Sequence, residues 1–201
     1  MRLGVFGGTF DPPHLGHLIL ASEACYSLQL DQVLWVVTSH PPHKKDQIIT
    51  PIRYRVDMVS RTLSAEPFFA LSLVEVERPG PHYVVDTMRI MRERYPQVEL
   101  IYLMGGDSLH DLPNWYRPRE FLSNCDKLGV MRRPQDEINM DQLEAELIGI
   151  SEKVQFIPTP LIEISSQDIR ARIREKRPFR YFLPEAVYQY ILENKLYRGK
   201  Q

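Results

Sequence analysis

The sequence predicts an α/β protein with a doubly wound, mostly parallel sheet, helices on both faces and a small helical part at the carboxyl end. Two observations predict it. Short apolar, β-rich runs alternate with longer segments of helical period along most of the chain, which is the pattern of successive βαβ units. After about residue 160 the pattern changes to helical segments with no clear strand. No linker is long enough to divide the chain, so it reads as one domain over 1–201, with a sheet core at about 1–160 and a helical part at about 161–201.

Taken in order, the strands fall at Leu3–Phe6, Val33–Val37, Phe69–Val76, Leu100–Met104, Leu128–Met131 and Val154–Ile157. Helical periodicity covers about His17–Leu28, Ile52–Ser64, Val84–Glu93 and Asp141–Leu147. Pro51 suits the first turn of the second helix, and Pro96 suits a stop just after the third. Two further helices close the chain at Ser166–Glu175 and Pro184–Glu193, the first opening on serines whose hydroxyls can cap free backbone N–H groups. In such sheets ligands bind outside the carboxyl ends of the strands, near the point where strand order reverses. The loops after Phe6, Val37, Val76 and Met104 are therefore the ones to inspect.

Composition excludes several classes. With 201 residues, 43% of them hydrophobic, the chain is long enough for a sizeable core. Lys plus Arg number 25 against 26 for Asp plus Glu, a net charge of −1, so no strong field draws nucleic acid or an anionic membrane. Cys25 and Cys125 are too few for a disulfide framework and lack metal-ligand spacing, which fits a reducing cytoplasm. The apolar run at the start is too short for a signal peptide, and no run of about 18 apolar residues occurs to span a membrane.

The first loop carries the strongest signal: Gly7-Gly8-Thr9-Phe10-Asp11-Pro12-Pro13-His14-Leu15-Gly16-His17. Its glycines let the backbone turn sharply and approach a ligand with N–H groups exposed. His14 and His17, spaced to face one side of a helix start, can donate to phosphate oxygens where the helix already favours anions. Gly16 between them leaves room for a bulky ligand. A His-x-x-His metal site would need a third protein ligand, which no histidine or cysteine is in helical phase to supply. Other segments are ambiguous when taken alone. Ser39-His40-Pro41-Pro42-His43-Lys44-Lys45 suits either a phosphate-facing loop or a solvated turn. Met104-Gly105-Gly106-Asp107-Ser108 suits either a ribose-binding turn or an ordinary Asp-capped one. Ile164-Ser165-Ser166-Gln167-Asp168-Ile169-Arg170 suits either a phosphate clamp or a serine-capped helix.

Together these segments resemble the nucleotidyltransferase superfamily with the His-x-Gly-His motif. The longer Thr-Phe-Asp-Pro-Pro form resembles the bacterial nicotinate-nucleotide adenylyltransferase family in particular. The resemblance covers essentially the whole chain, with the most specific motifs at its two ends. It implies a Rossmann-like fold and a transferase of NAD biosynthesis that joins ATP to nicotinate mononucleotide. His14, His17 and Lys44 would act at the transferred phosphoryl group. Gly7, Gly8, Thr9, Phe10, His17, Gly105, Asp107, Ser165, Ser166 and Arg170 would hold ATP. Lys44, Tyr83, Val84 and Trp115 would hold the mononucleotide, with Trp115 stacked on the pyridine. Mg²⁺ would be carried in with ATP, with no metal held by the protein and Asp11 an open candidate for a water-mediated contact. No nucleic-acid or membrane partner is implied, and there is room for a homo-oligomer. Gln167 replaces the family's usual Thr, and His82 and Val84 replace a Ser and a Thr. The alternatives are an enzyme for nicotinamide mononucleotide and a non-catalytic nucleotide-binding module on the same fold.

Overall fold

A computed structural model describes residues 1–39, 48–131, 138–160 and 163–199. Its strands are β1 (Arg2–Gly8), β2 (Gln32–Val37), β3 (Phe69–Ser72), β4 (Glu99–Gly105), β5 (Lys127–Met131) and β6 (Val154–Ile157). They form one 6-stranded sheet in the order β3-β2-β1-β4-β5-β6. Every neighbouring pair is parallel. The helices are α1 (Leu15–Ser27), α2 (Ile52–Leu63), α3 (Val84–Arg94), α4 (Gly106–Asp111), α5 (Pro118–Asn124), α6 (Met140–Glu146), α7 (Ile150–Lys153), α8 (Ser166–Arg174) and α9 (Glu185–Glu193).

Strands covered on both faces need apolar side chains at nearly every position, and the period of two sends alternate ones to opposite sides. Val33, Trp35 and Val37 of β2 thus join Phe6, Ile101 and Leu103 beneath α1 and α2. Leu34 and Val36 join Val5, Leu100, Tyr102 and Val130 beneath α3 and α5. A third cluster lies outside the sheet, where Ile169, Ile173, Val187, Tyr190, Ile191 and Leu196 close over Met58 of α2. Burying each large apolar side chain contributes about 1.5–3 kcal/mol, so the carboxyl-terminal helices are held through α2.

The predicted third strand ends early. After Ser72 the carbonyl of Leu73 accepts from both Val76 and Glu77 N–H, at 2.8 and 2.9 Å, so 73–77 is a turn. Among the described residues β3 is the sheet's edge, with no outer partner to prolong its ladder, and the turn carries Val74 and Glu75 into the interior. Helices α4, α5 and α7 were not expected, because each is too short to display a helical period. The strand order reverses between β1 and β4, so the loops after Gly8 and Gly105 open side by side.

Candidate active site

The loop leaving β1 is built around a close approach. Phe10 takes a left-handed backbone (φ 47°), a conformation non-glycine residues hold only when their surroundings enforce it. Its ring is buried against Phe6 and Trp35, with centroids 5.4 and 5.0 Å away. A Cβ on Gly8 would stand 2.8–3.1 Å from three carbons of that ring, so only glycine fits beside it. The peptide bond Asp11–Pro12 is cis.

His14 is the residue before α1, and His17 lies one turn in. Their rings stack with centroids 3.6 Å apart and 28° between planes. The N–H of His14 donates to His17 Nδ1 at 3.2 Å. An accepting Nδ1 carries no proton, so the neutral ring holds its proton on Nε2 and presents a donor at its outer end. The sequence expectation that both rings share one side is met. Gly16 makes room for the His14 ring, since a Cβ there would stand 3.1 Å from His14 Nδ1.

Beneath the loop lies Arg55 of α2, a residue the sequence reading missed, and it is 2% exposed. Its guanidinium donates to the carbonyl oxygens of Thr9 (2.9 Å), Thr38 (2.7 Å), Ser39 (3.1 Å) and Thr50 (2.8 Å). One side chain thereby fixes the exits of β1 and β2 and the entry to α2. Burial pulls its pKa below the ordinary arginine value, against the opposing effect of Asp11. An arginine in a helical period reads as a surface residue, so no sequence signal distinguished it. Asp11 is buried as well. Its Oδ2 accepts from Thr50 N–H at 3.1 Å and its Oδ1 from the Tyr197 hydroxyl at 2.7 Å. Burial first, and then the charge of Asp11, push the Tyr197 hydroxyl far above the tyrosine range, so it stays a donor at any working pH.

The helix α8 meets the same loop from the other side. Ser165 Oγ accepts from Asp168 N–H at 3.0 Å and caps the helix. Ser166 Oγ donates to the Pro12 carbonyl at 2.8 Å, and Arg170 Nη1 donates to the Asp11 carbonyl at 2.6 Å. The structure therefore joins Ser166 and Arg170 to the His14/His17 loop across more than 150 residues of sequence.

Tyr83 and Val84 begin α3, beside the turn that follows β3. Arg78 Nη2 donates to Thr87 Oγ1 at 3.1 Å, and the Thr87 hydroxyl donates to Glu75 Oε1 at 2.6 Å. His82 Nε2–H donates to the Arg78 carbonyl at 3.1 Å, so the histidine that replaces the family's serine closes this turn. Glu75 is buried, and burial pushes its carboxyl above the ordinary value despite its bond to Thr87. The Tyr83 ring lies 4.3 Å from the exposed ring of Tyr116, which brings together the two loops expected to hold the mononucleotide. Trp115 is half-buried, its ring 5.4 Å from Phe121 and 6.3 Å edge-on from Tyr102. Gly105 ends β4 and Asp107 is exposed in the first turn of α4. Lys44, with Pro41, Pro42 and His43, lies outside the described residues.

A six-stranded parallel sheet with a histidine pair and a glycine-framed loop at its reversal point defines a nucleotide-binding α/β protein. Residues 5–172 match the model of the cytidylyltransferase-like family. The chain is 45% identical over 197 residues to the probable nicotinate-nucleotide adenylyltransferase of Thermomicrobium roseum, covering 98% of this chain and 92% of the relative. It is 37% identical over 198 residues to the nicotinate-nucleotide adenylyltransferase of Bacillus subtilis, covering 98% and 99%. The nicotinic acid mononucleotide adenylyltransferase of Plasmodium falciparum, solved in complex with NaAD, shares the fold at TM-score 0.80 and 16% identity over 99% and 98% of the two chains. The chain belongs to the cytidylyltransferase-like family and, within it, to the nicotinate-nucleotide adenylyltransferases.

Proposed function

We propose that the protein transfers an adenylyl group from ATP to nicotinate mononucleotide, releasing pyrophosphate and forming nicotinate adenine dinucleotide. The observation that carries this reading is the stacked His14/His17 pair at the start of α1, where the fold opens its ligand crevice. In this reaction a phosphate oxygen of the mononucleotide attacks the α-phosphorus of ATP, and the bond to the β-phosphate breaks. The attacking oxygen is already ionised, so no general base is needed. Catalysis reduces to alignment and to neutralising charge on the transferring group.

In this reading His17 Nε2–H and His14 meet the α-phosphate, and backbone donors of Gly7, Gly8, Thr9 and Phe10 line its path. Gly105 and Asp107 face the adenosine half, while Ser165, Ser166 and Arg170 face the β- and γ-phosphates with Lys44 opposite. Because Ser166 Oγ and Arg170 Nη1 already bond the loop, their role begins with shaping it. Tyr83, Val84 and Trp115 serve the mononucleotide. Mg²⁺ enters as a complex with ATP, since this small ion keeps its waters and binds phosphates readily. Asp11, whose two oxygens are taken by Thr50 and Tyr197, is a tie inside the protein rather than a ligand for that ion. Free thiols at Cys25 and Cys125 suit a cytoplasmic setting, and burial holds Cys25 up at about 11, far from thiolate chemistry.

The pyridine carboxylate is recognised by N–H groups at the start of α3, ahead of Asp86, whose own N–H already donates to the Tyr83 carbonyl at 3.2 Å. A carboxylate suits them, whereas an amide NH₂ leaves a donor unsatisfied, at a cost of about 1–3 kcal/mol. Pyrophosphate release measured with nicotinate and nicotinamide mononucleotides side by side tests this. The expected kcat/KM favours the acid by about ten- to hundredfold. A ratio at or below unity rejects the acid assignment in favour of the amide, and no release with either rejects the transfer reaction.

A further inference from the structure

We infer that Tyr197, in the carboxyl-terminal tail, is a positioning residue for the His14/His17 loop and acts through the buried carboxylate of Asp11. This deepens the proposed function and rests on it for its kinetic readout. The loop runs from the end of β1 to the start of α1, and its middle, Asp11–Pro12, lies beyond the ladder of the sheet. What fixes that middle comes from far along the chain. Tyr197 holds the Asp11 side chain at 2.7 Å, Arg170 holds the Asp11 carbonyl at 2.6 Å, and Ser166 holds the Pro12 carbonyl at 2.8 Å. Thr50 N–H holds the other Asp11 oxygen at 3.1 Å, next to Arg55, which secures Thr9 and Thr50 by their carbonyls.

The tail is built to deliver that hydroxyl. Lys195 and Tyr197 both take left-handed backbone angles, φ 51° and 65°, although neither is glycine. Such conformations persist only where surrounding structure over-determines them. Two anchors do so here: Leu196 is buried in the cluster of α8 and α9, and the Tyr197 hydroxyl is bonded to Asp11. Leu196 alone would bury the tail. The hydroxyl adds a directional bond to a carboxylate whose other oxygen is already engaged, so it selects one position of Asp11 and hence of the backbone leading to His14. His14 and His17 are three residues and more from Asp11, and a small displacement there moves both rings away from the reacting phosphoryl group.

The test compares the wild type with Tyr197→Phe, Asp11→Ala, the double variant and Tyr188→Phe, a control whose ring lies 5.1 Å from Phe179. Hydrogen exchange of the peptide spanning Gly7–His17 is measured together with kcat and both KM values. Tyr197→Phe is expected to lose protection in that peptide while β4 keeps it. Its kcat should fall about tenfold with the mononucleotide KM within about twofold of wild type. The double variant should be no worse than about twofold below the poorer single one, because the bond lost with the Tyr197 hydroxyl is already lost with the Asp11 side chain. Tyr188→Phe should match the wild type. Loop protection and kcat unchanged in Tyr197→Phe, or protection lost evenly through the chain with unchanged kinetics, overturns the inference. Effects that multiply in the double variant overturn the route through Asp11. A wild-type protein that releases no pyrophosphate overturns the proposed function instead, and the exchange measurement then decides the positioning of the loop alone.

Discussion

His17 shows how one hydrogen bond sets the chemistry a residue can offer. With Nδ1 accepting from the His14 amide, the proton of the neutral ring is on Nε2, oriented as a donor before any ligand arrives. Removing a preorganised donor of this kind costs about 10²–10³ in rate. His17→Ala is therefore expected to lose that much kcat with an unchanged melting temperature, and a stable variant within a few-fold of wild type would reject the phosphate role. Gly16→Ala tests the stack from behind, because its Cβ would stand 3.1 Å from His14 Nδ1. The ring must give way by a few tenths of an ångström, and kcat should drop about tenfold while binding of ATP persists. Glu75 makes a different prediction. Burial raises its folded-state value above the ordinary 4.5, so the native state holds its proton more tightly than the unfolded chain. Stability from this group is full below 4.5 and falls as pH rises through the raised value. Glu75→Gln, which still accepts from Thr87, should gain melting temperature relative to wild type as pH rises over that window. Parallel melting curves against pH would show that the carboxyl does not titrate between the states. Of these residues, the histidines were legible from their spacing. Glu75 was not: the sequence put it inside the strand expected at Phe69–Val76, and it is the turn at Leu73 that carries it inward.

At the scale of the element, α8 combines two tasks. Ser165 caps it and Asp168 pairs with Arg172 at 2.7 Å, which accounts for its position and length. Ser166 and Arg170, on the side facing the β1 loop, tie the helix to that loop. The sequence pattern gave the cap but could not show that these side chains reach carbonyls of residues 11 and 12. A charge-assisted bond is worth about 1.5–3 kcal/mol, so Arg170→Ala should raise KM for ATP by roughly ten- to hundredfold. The mononucleotide KM should change much less, and Arg170→Lys should recover only part of the loss, because a single ammonium cannot reproduce the guanidinium's fork. Equal changes in both KM values would make α8 a strut for the fold and nothing more. The short helices α4 and α5 were illegible for a simpler reason. Six or seven residues cannot establish a period, and their place is set by packing Leu109 and Phe121 under the sheet.

For the whole molecule, the helical part at 161–201 closes on α2 through Met58, Ile169, Ile173, Val187 and Ile191. It also reaches the β1 loop through Ser166, Arg170 and Tyr197. We propose on this basis that it melts with the sheet core as one domain. Ile191→Ala removes a fully buried side chain and should cost about 2–5 kcal/mol. Tryptophan fluorescence, which reports the sheet core through Trp35 and Trp115, and far-UV circular dichroism should still give coincident transitions. Separate transitions would divide the chain into two units. Among the described residues no helix is long and apolar enough to cross a membrane.

The sequence by itself determined the alternation of strand and helix, hence the parallel sheet, and the composition of the loop at its reversal point. Those properties are local: periodicity, glycine freedom and histidine spacing are written in neighbouring residues. What only the tertiary structure decided is how that loop is held. Arg55, Asp11, Arg170 and Tyr197 are scattered over most of the chain. Each is a polar residue whose ordinary place is the surface, and burial, full for Asp11 and Arg55 and partial for Arg170 and Tyr197, is what turns it into a fixed partner for a carbonyl or a carboxylate. Whether a polar side chain is buried depends on which distant elements pack above it. That dependence is a property of the assembled sheet and helices, and no window of sequence contains it.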